Sequence, residues 1–167
     1  MMPTWLAATR ALSQEPDMVA SIPLLPRLLG LAGLIPMAGL LWLVLAGGDS
    51  TRYAALALGW LYAALIFSFL GGLWWGLAAA AGARAPAWLW IVSVVPSLAA
   101  LATLLPWLIG EPWPGPSLVW LGLAILVSPL VDRKIAARGL APPWWLALRL
   151  ILSGGLGPMA IIMGLAA

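Results

Sequence analysis

The chain has 167 residues, of which 64% are hydrophobic and 8% are charged, and its formal net charge is +3. A soluble domain carries roughly 25% charged residues, so this composition excludes a water-soluble globule of the same size. The small, scattered positive charge does not favour nucleic-acid binding. The composition instead predicts an all-α polytopic membrane bundle of about five transmembrane helices.

The N-terminal stretch, residues 1–23, is the least apolar part of the chain. On a short helix, Trp5 and Leu12 would lie on one side and Arg10 on the other. This loosely amphipathic pattern is typical of a helix that lies in the membrane interface, but an ordered cytoplasmic tail explains it equally well. The sequence leaves both interpretations open.

Five apolar segments follow and make up one transmembrane domain over residues 24–167. A helix needs about 20 apolar residues to cross a bilayer, and five such helices with short turns fill this length. Tryptophans near several segment ends are typical of the aromatic belts at membrane surfaces. The predicted spans are 24–46, 53–81, 87–109, 117–131 and 143–165.

The basic residues predict the orientation of these spans. Six lie on the side that holds the N-terminus, the second-to-third loop and the fourth-to-fifth loop, and only Arg52 lies on the other side. Since basic loops stay in the cytoplasm, we expect a cytoplasmic N-terminus and an external C-terminus, in a bacterial inner membrane. The six are Arg10, Arg27, Arg84, Arg133, Lys134 and Arg138.

Small residues recur at four-residue spacing in the second and fifth spans. Residues four apart share a helix face, and small ones allow another backbone to approach closely in lipid. The two sets could pack on each other inside the bundle, or the first could contact a partner protein. The predicted packing or partner-contact residues are Ser68, Gly71, Gly72, Gly76, Ser153 and Gly157.

The tryptophans of the second span have two interpretations. Trp60 precedes Trp74 by fourteen residues and therefore lies on nearly the same side of the helix, and Trp75 follows directly. Their rings could line a pocket for a flat apolar ligand such as a quinone, carotenoid, tetrapyrrole or lipid. The simpler interpretation is that large rings fill the space beside glycines, as in other helical bundles.

Asp132 and Arg149 form a predicted ion pair between the fourth and fifth spans. Arg149 lies about two turns inside its span, where an unpaired guanidinium is costly and a functional role is the default hypothesis. Asp132, at the end of the preceding span, is the natural partner. The alternative is that Arg149 extends its charged end to the membrane surface.

Several motifs resemble one family of small membrane proteins. They are Leu29–Pro36, Phe69–Gly76, Val95–Leu98, Val131–Arg133 and the pair Leu148–Arg149. The resemblance covers residues 27–165, and the family is a domain of unknown function, number 3429, whose eukaryotic relatives are called transmembrane protein 69. It implies a five-helix bundle without an established activity. Relatives often have His where this chain has Trp74, so any chemistry by that His is absent here.

The sequence offers no machinery for catalysis. The chain contains no Cys and no His, and its five carboxylates all fall in tails, loops or span ends. We therefore expect no enzyme activity, no metal and no required cofactor, with membrane lipids and other membrane subunits as partners. The favoured function is an accessory or assembly subunit of a respiratory or photosynthetic type of complex. The alternative is a binder or carrier of an apolar small molecule.

Overall fold

The structure is a computed structural model that describes residues 22–167, and this part of the chain is helical. Five helical segments are long and apolar enough to cross a membrane, as judged by length and composition. The predicted all-α five-span bundle is therefore confirmed. The prediction of a tail or interfacial helix at residues 1–23 lies almost entirely outside the described residues. The five segments are Leu24–Ala46, Asp49–Arg84, Ala87–Leu108, Gly115–Ala136 and Trp145–Leu165.

Three of the five spans consist of two consecutive helices. Within span 1 the helix is interrupted at Gly33, within span 3 at Thr103, and within span 4 at Ser128. The helices are α1 (Leu24–Ala32) and α2 (Ile35–Ala46) in span 1, α3 (Asp49–Ala81) in span 2, α4 (Ala87–Ala102) and α5 (Leu105–Leu108) in span 3, α6 (Gly115–Val127) and α7 (Pro129–Ala136) in span 4, and α8 (Trp145–Leu165) in span 5.

Pro129 explains why the fourth span is longer than predicted. The sequence interpretation ended this span near Val131, but the chain continues helically as α7 to Ala136. Proline is tolerated in the first turn of a helix, where its missing N–H has no helical partner. The carbonyl of Ile125, four residues before Pro129, instead accepts a hydrogen bond of 2.7 Å from Ser128 Oγ. This brings Asp132 inside the span.

Glycines allow α6 and α8 to pack closely. A Cβ atom added to Gly122 would lie 2.7 Å from the carbonyl oxygen of Gly157, and one added to Gly157 would lie 2.9 Å from that of Gly122. Gly164 meets Gly115 in the same way one heptad farther along the pair. Spans 4 and 5 therefore contact each other backbone to backbone, as is common between helices in lipid.

Span 1 packs more loosely than the other spans. Only Met37 and Val44 of α2 are buried, and α1 contributes no buried residue. The main core lies among α3, α6 and α8, with Leu118, Leu121, Ile125 and Met163 almost fully enclosed. The inner side of span 1 consequently borders space that the core does not fill.

Candidate functional site

Asp132 lies at the centre of a buried polar network near one end of the bundle. Its side chain is fully enclosed, and its Oδ2 accepts a hydrogen bond of 3.0 Å from Nε of Arg149. Arg149 lies one turn inside α8, roughly 6 Å along the helix axis from Trp145. Its side chain is only 6% exposed, so it pairs with Asp132 and does not extend to the membrane surface.

The other carboxylate oxygen of Asp132 accepts two indole N–H groups. Nε1 of Trp74 lies 2.9 Å from Oδ1, and Nε1 of Trp145 lies 2.8 Å from the same oxygen. Trp74 comes from α3 and Trp145 from α8, so one carboxylate connects spans 2, 4 and 5. A carboxylate with this many donors retains its charge in an apolar surrounding at a much lower cost than an isolated one.

Ser128 completes the network on the Arg149 side. Nη2 of Arg149 donates to Ser128 Oγ at 2.9 Å, and that hydroxyl donates onward to the carbonyl of Ile125. Ser128 and Trp145 were not among the predicted site residues. Each precedes a predicted one by four positions, Ser128 before Asp132 and Trp145 before Arg149, which is the spacing that places side chains on one helix face.

A cavity of about 310 Å³ adjoins this network. Trp145, Arg149 and Ser153 line it from α8 together with three leucines of that helix, and apolar side chains of span 1, α3 and α6 line the rest. The three leucines are Leu148, Leu152 and Leu156. The hydroxyl of Ser153 is buried and has no hydrogen-bond partner among the described residues. Leu29 and Phe69 belong to the same wall but are 65% and 59% exposed, so the cavity opens between spans 1 and 2.

A comparison with known protein families shows to which family the chain belongs. A family described as a protein of unknown function, DUF3429, matches residues 22–166. The chain belongs to this family. The predicted resemblance is confirmed at that level, and the family carries no assigned activity. No curated protein matches the chain, and no solved structure does.

The small residues Ser68, Gly71, Gly72 and Gly76 of the second span do not pack as one stripe. Gly71 lies against the backbone of Ser93 and the ring of Pro96 on α4. Gly72 and Gly76 face outward, and nothing lies within 4 Å of a Cβ added to either. Ser68 shares a hydrogen bond of 2.8 Å with Ser97.

The predicted pairing of this stripe with Ser153 and Gly157 is therefore wrong. Gly157 packs against Gly122 and Leu126 of α6, and Ser153 lines the cavity. Successive helix residues are about 100° apart, so Gly71 can face inward while Gly72 faces outward. A contact of the outward face with a partner protein stays a prediction.

The tryptophans of span 2 do not share a pocket, which corrects the prediction of one lined by all three. Trp74 belongs to the polar network, whereas Trp60 donates to Thr103 Oγ1 at 2.9 Å near the other end of α3. Fourteen residues separate Trp60 from Trp74 by roughly 21 Å along the helix axis. Trp75 is half exposed and packs edge-on against Trp90, with ring centroids 4.8 Å apart.

The network contains one carboxylate, and no group of three or more His, Cys, Asp or Glu side chains lies together within residues 22–167. The arrangement can neutralise charge, hold spans together and place a cation beside a cavity. Arg149 is the charged residue of this wall.

Proposed function

We propose that the protein binds an apolar, lipid-soluble small molecule in the cavity beside Arg149. The supporting observation is a half-open space of about 310 Å³ that is lined mostly by hydrocarbon side chains and borders the buried pair of Arg149 and Asp132. Ligand sites have volumes of roughly 300–1,000 Å³ and combine apolar walls with a few polar groups. A quinone, carotenoid, tetrapyrrole or lipid has the required solubility, and the smaller of these fit best.

A lipid-soluble occupant suits this space because its walls are mostly apolar and ligand sites combine apolar walls with a few polar groups. The opening at Leu29 and Phe69 would admit it directly from the lipid.

The setting that we propose is a bacterial inner membrane, with the N-terminus in the cytoplasm and the C-terminus outside. The distribution of basic residues along the chain supports this orientation. The site would then lie in the cytoplasmic half of the bilayer. We also propose that the protein has no catalysis of its own, and that eukaryotic transmembrane protein 69 is its relative.

Purification from native membranes tests the binding function. We expect mass spectrometry to find one specific lipid-soluble molecule at a near-stoichiometric ratio in addition to bulk lipid. The variant Leu152→Trp places a large ring into the cavity wall and should lose that molecule. Leu150→Trp is the matched control, because Leu150 lies on the same helix but is 56% exposed. Recovery of bulk lipid alone from the wild-type protein and from both variants would refute the proposal.

A second candidate function is an accessory subunit of a larger membrane complex of the respiratory or photosynthetic type. The outward face of α3 supports it, since Gly72 and Gly76 offer a flat surface on which nothing in the described chain packs. Purification in mild detergent should then recover partner subunits that are lost in Gly72→Leu. Gly154→Leu, at another outward glycine, should retain them. A monomer without partners in both variants and in the wild type would count against this function.

A further inference from the structure

The guanidinium of Arg149 has donors that the buried polar network does not use. Arginine carries five N–H donors in a flat fork. Nε donates to Oδ2 of Asp132 at 3.0 Å and Nη2 donates to Ser128 Oγ at 2.9 Å, whereas Nη1 makes no hydrogen bond within residues 22–167. The side chain of Arg149 is only 6% exposed, so the unpaired end of a buried cation lacks an acceptor.

Nη1 of Arg149 can be reached by a ligand, in contrast to the hydroxyl of Ser153. The enclosed side-chain atoms without a partner in the described part of the chain are Ser153 Oγ and Trp113 Nε1, and Nη1 is not among them. Since Nη1 also has no partner, it keeps accessible surface. The other edge of the guanidinium is directed to span 4, and Arg149 lines the cavity of about 310 Å³. Nη1 is therefore the donor that this cavity offers.

The charge of Arg149 is already balanced by Asp132. Oδ2 of Asp132 accepts from Arg149, and Oδ1 accepts the indole N–H groups of Trp74 and Trp145 at 2.9 and 2.8 Å. These contacts hold the carboxylate beside the guanidinium, and the other residues that line the cavity are uncharged. The polar end of the cavity is thus formally neutral although its free donor belongs to a cation.

This combination selects among possible ligands. An anionic group on Nη1 would share one cation with Asp132 and leave a net negative charge in an apolar surrounding, which is strongly unfavourable. An ammonium group would meet Arg149 itself, and a pure hydrocarbon would leave Nη1 without an acceptor. An uncharged oxygen acceptor bonds Nη1 and leaves the charge balance as it is.

We infer that the cavity takes an uncharged lipid-soluble molecule whose carbonyl oxygen accepts a hydrogen bond from Nη1 of Arg149. The inference rests on the proposed binding function and specifies its ligand class and polar contact. The hydrocarbon part of the ligand lies against the apolar walls, and a longer tail extends into the lipid between Leu29 and Phe69. A quinone ring and the ester of a lipid share this chemistry.

Two matched pairs of probes test the ligand class with the full-length protein in lipid nanodiscs. An alkylated benzoquinone is compared with the corresponding alkylbenzene, and a fatty-acid methyl ester with an alkanesulfonate of equal chain length, at equal mole fractions in the lipid. Binding to the folded state raises the unfolding temperature with ligand concentration, which yields an apparent Kd for each probe. The tighter of the two carbonyl probes distinguishes a quinone from a lipid ester as the natural source.

Arg149→Lys tests the donor while it keeps a cation beside Asp132. Lysine has one nitrogen, which we expect to stay with the carboxylate and leave no N–H for the cavity. Both carbonyl probes should then bind roughly tenfold more weakly than to the wild type, as for the loss of a hydrogen bond to a charged group, and the alkylbenzene should bind unchanged. Arg133→Lys, at an exposed position of α7 outside the cavity, is the matched control and should bind every probe as the wild type does.

Asp132→Asn tests the charge balance. This variant keeps the size of the side chain and an oxygen acceptor for the indoles, but it removes the negative charge that matches Arg149. In the wild type the methyl ester should bind roughly tenfold or more tightly than the sulfonate. In Asp132→Asn the order should reverse, because the sulfonate replaces the missing partner of a buried cation.

Equal affinity of the wild type for carbonyl probes and alkylbenzene would overturn the inference but leave the binding function intact. Undiminished binding of the carbonyl probes by folded Arg149→Lys, or a wild-type preference for the sulfonate, would overturn it as well. If either variant shows no cooperative unfolding, the wild-type comparisons decide alone. If no probe shifts the wild type more than the cavity-filled variant Leu152→Trp, the binding function itself fails.

Discussion

Arg149 and Asp132 form an ion pair inside the bundle, with Nε and Oδ2 3.0 Å apart and side chains that are 6% and 0% exposed. Pairing largely offsets the cost of placing each charge in an apolar surrounding, but only while both partners are present. The pair also connects the end of span 4 to the beginning of span 5. Its loss should therefore affect assembly of the whole cavity-bearing half of the bundle.

Replacement of one partner should be far more damaging than replacement of both. We expect Arg149→Met and Asp132→Leu each to lower the free energy of unfolding by about 3–5 kcal/mol, because a buried charge is left alone. The double variant should lose much less than the sum. A double-mutant cycle measured by denaturant unfolding in detergent checks this, with the exposed Arg133→Met as control. Additive losses would show that the two charges do not interact.

The indole N–H of Trp74 should contribute measurably to stability. Trp74→Phe removes a hydrogen bond to a charged oxygen, which is worth about 1.5–3 kcal/mol, in addition to some packing. Trp74→His, the residue that the family resemblance leads us to expect in relatives, keeps a ring N–H and should retain part of this contribution. Thermal unfolding compares these variants with Trp75→Phe, whose ring is half exposed. Equal loss in Trp74→Phe and Trp75→Phe would contradict this role for Trp74.

The close contact of α6 with α8 should not tolerate a methyl group. In Gly157→Ala the new Cβ would meet the carbonyl oxygen of Gly122 at about 2.9 Å, so the two helices must move apart. We expect a loss of about 1–3 kcal/mol, the usual cost of overpacking. Gly154→Ala on the outward side of the same helix should be neutral or slightly stabilising, because alanine favours helix more than glycine does. Unfolding in detergent measures both, and similar values would argue against the contact.

The proposed orientation has a direct test. A reporter that is active only outside the cytoplasm should be active when fused after Ala167, whereas one that is active only in the cytoplasm should not. The same reporters placed in the loop after Arg138 should give the opposite result. Activity of the cytoplasmic reporter at Ala167 would reverse the orientation and move the cavity to the other half of the bilayer.

The sequence was sufficient to pair Asp132 with Arg149, because a polar residue at the end of one span and a cation at the beginning of the next lie at the same membrane surface. The sequence did not predict that the indole N–H groups of Trp74 and Trp145 donate to Asp132. Trp74 belongs to a different span, and its approach to Asp132 depends on how α3 packs against spans 4 and 5. The unpartnered state of Ser153 likewise follows from neighbours that no local pattern specifies.

The number and approximate limits of the five spans follow from the chain alone, since lipid requires each crossing segment to be long, apolar and internally hydrogen-bonded. The chain alone does not determine which side of each helix faces the inside of the bundle. In a soluble protein polar residues would mark the outer side of a helix, but here lipid and core are both apolar, so the residues around a helix look alike. Only tertiary packing therefore decided that Gly71 faces α4 while Gly72 faces outward, and that Ser153 meets a cavity.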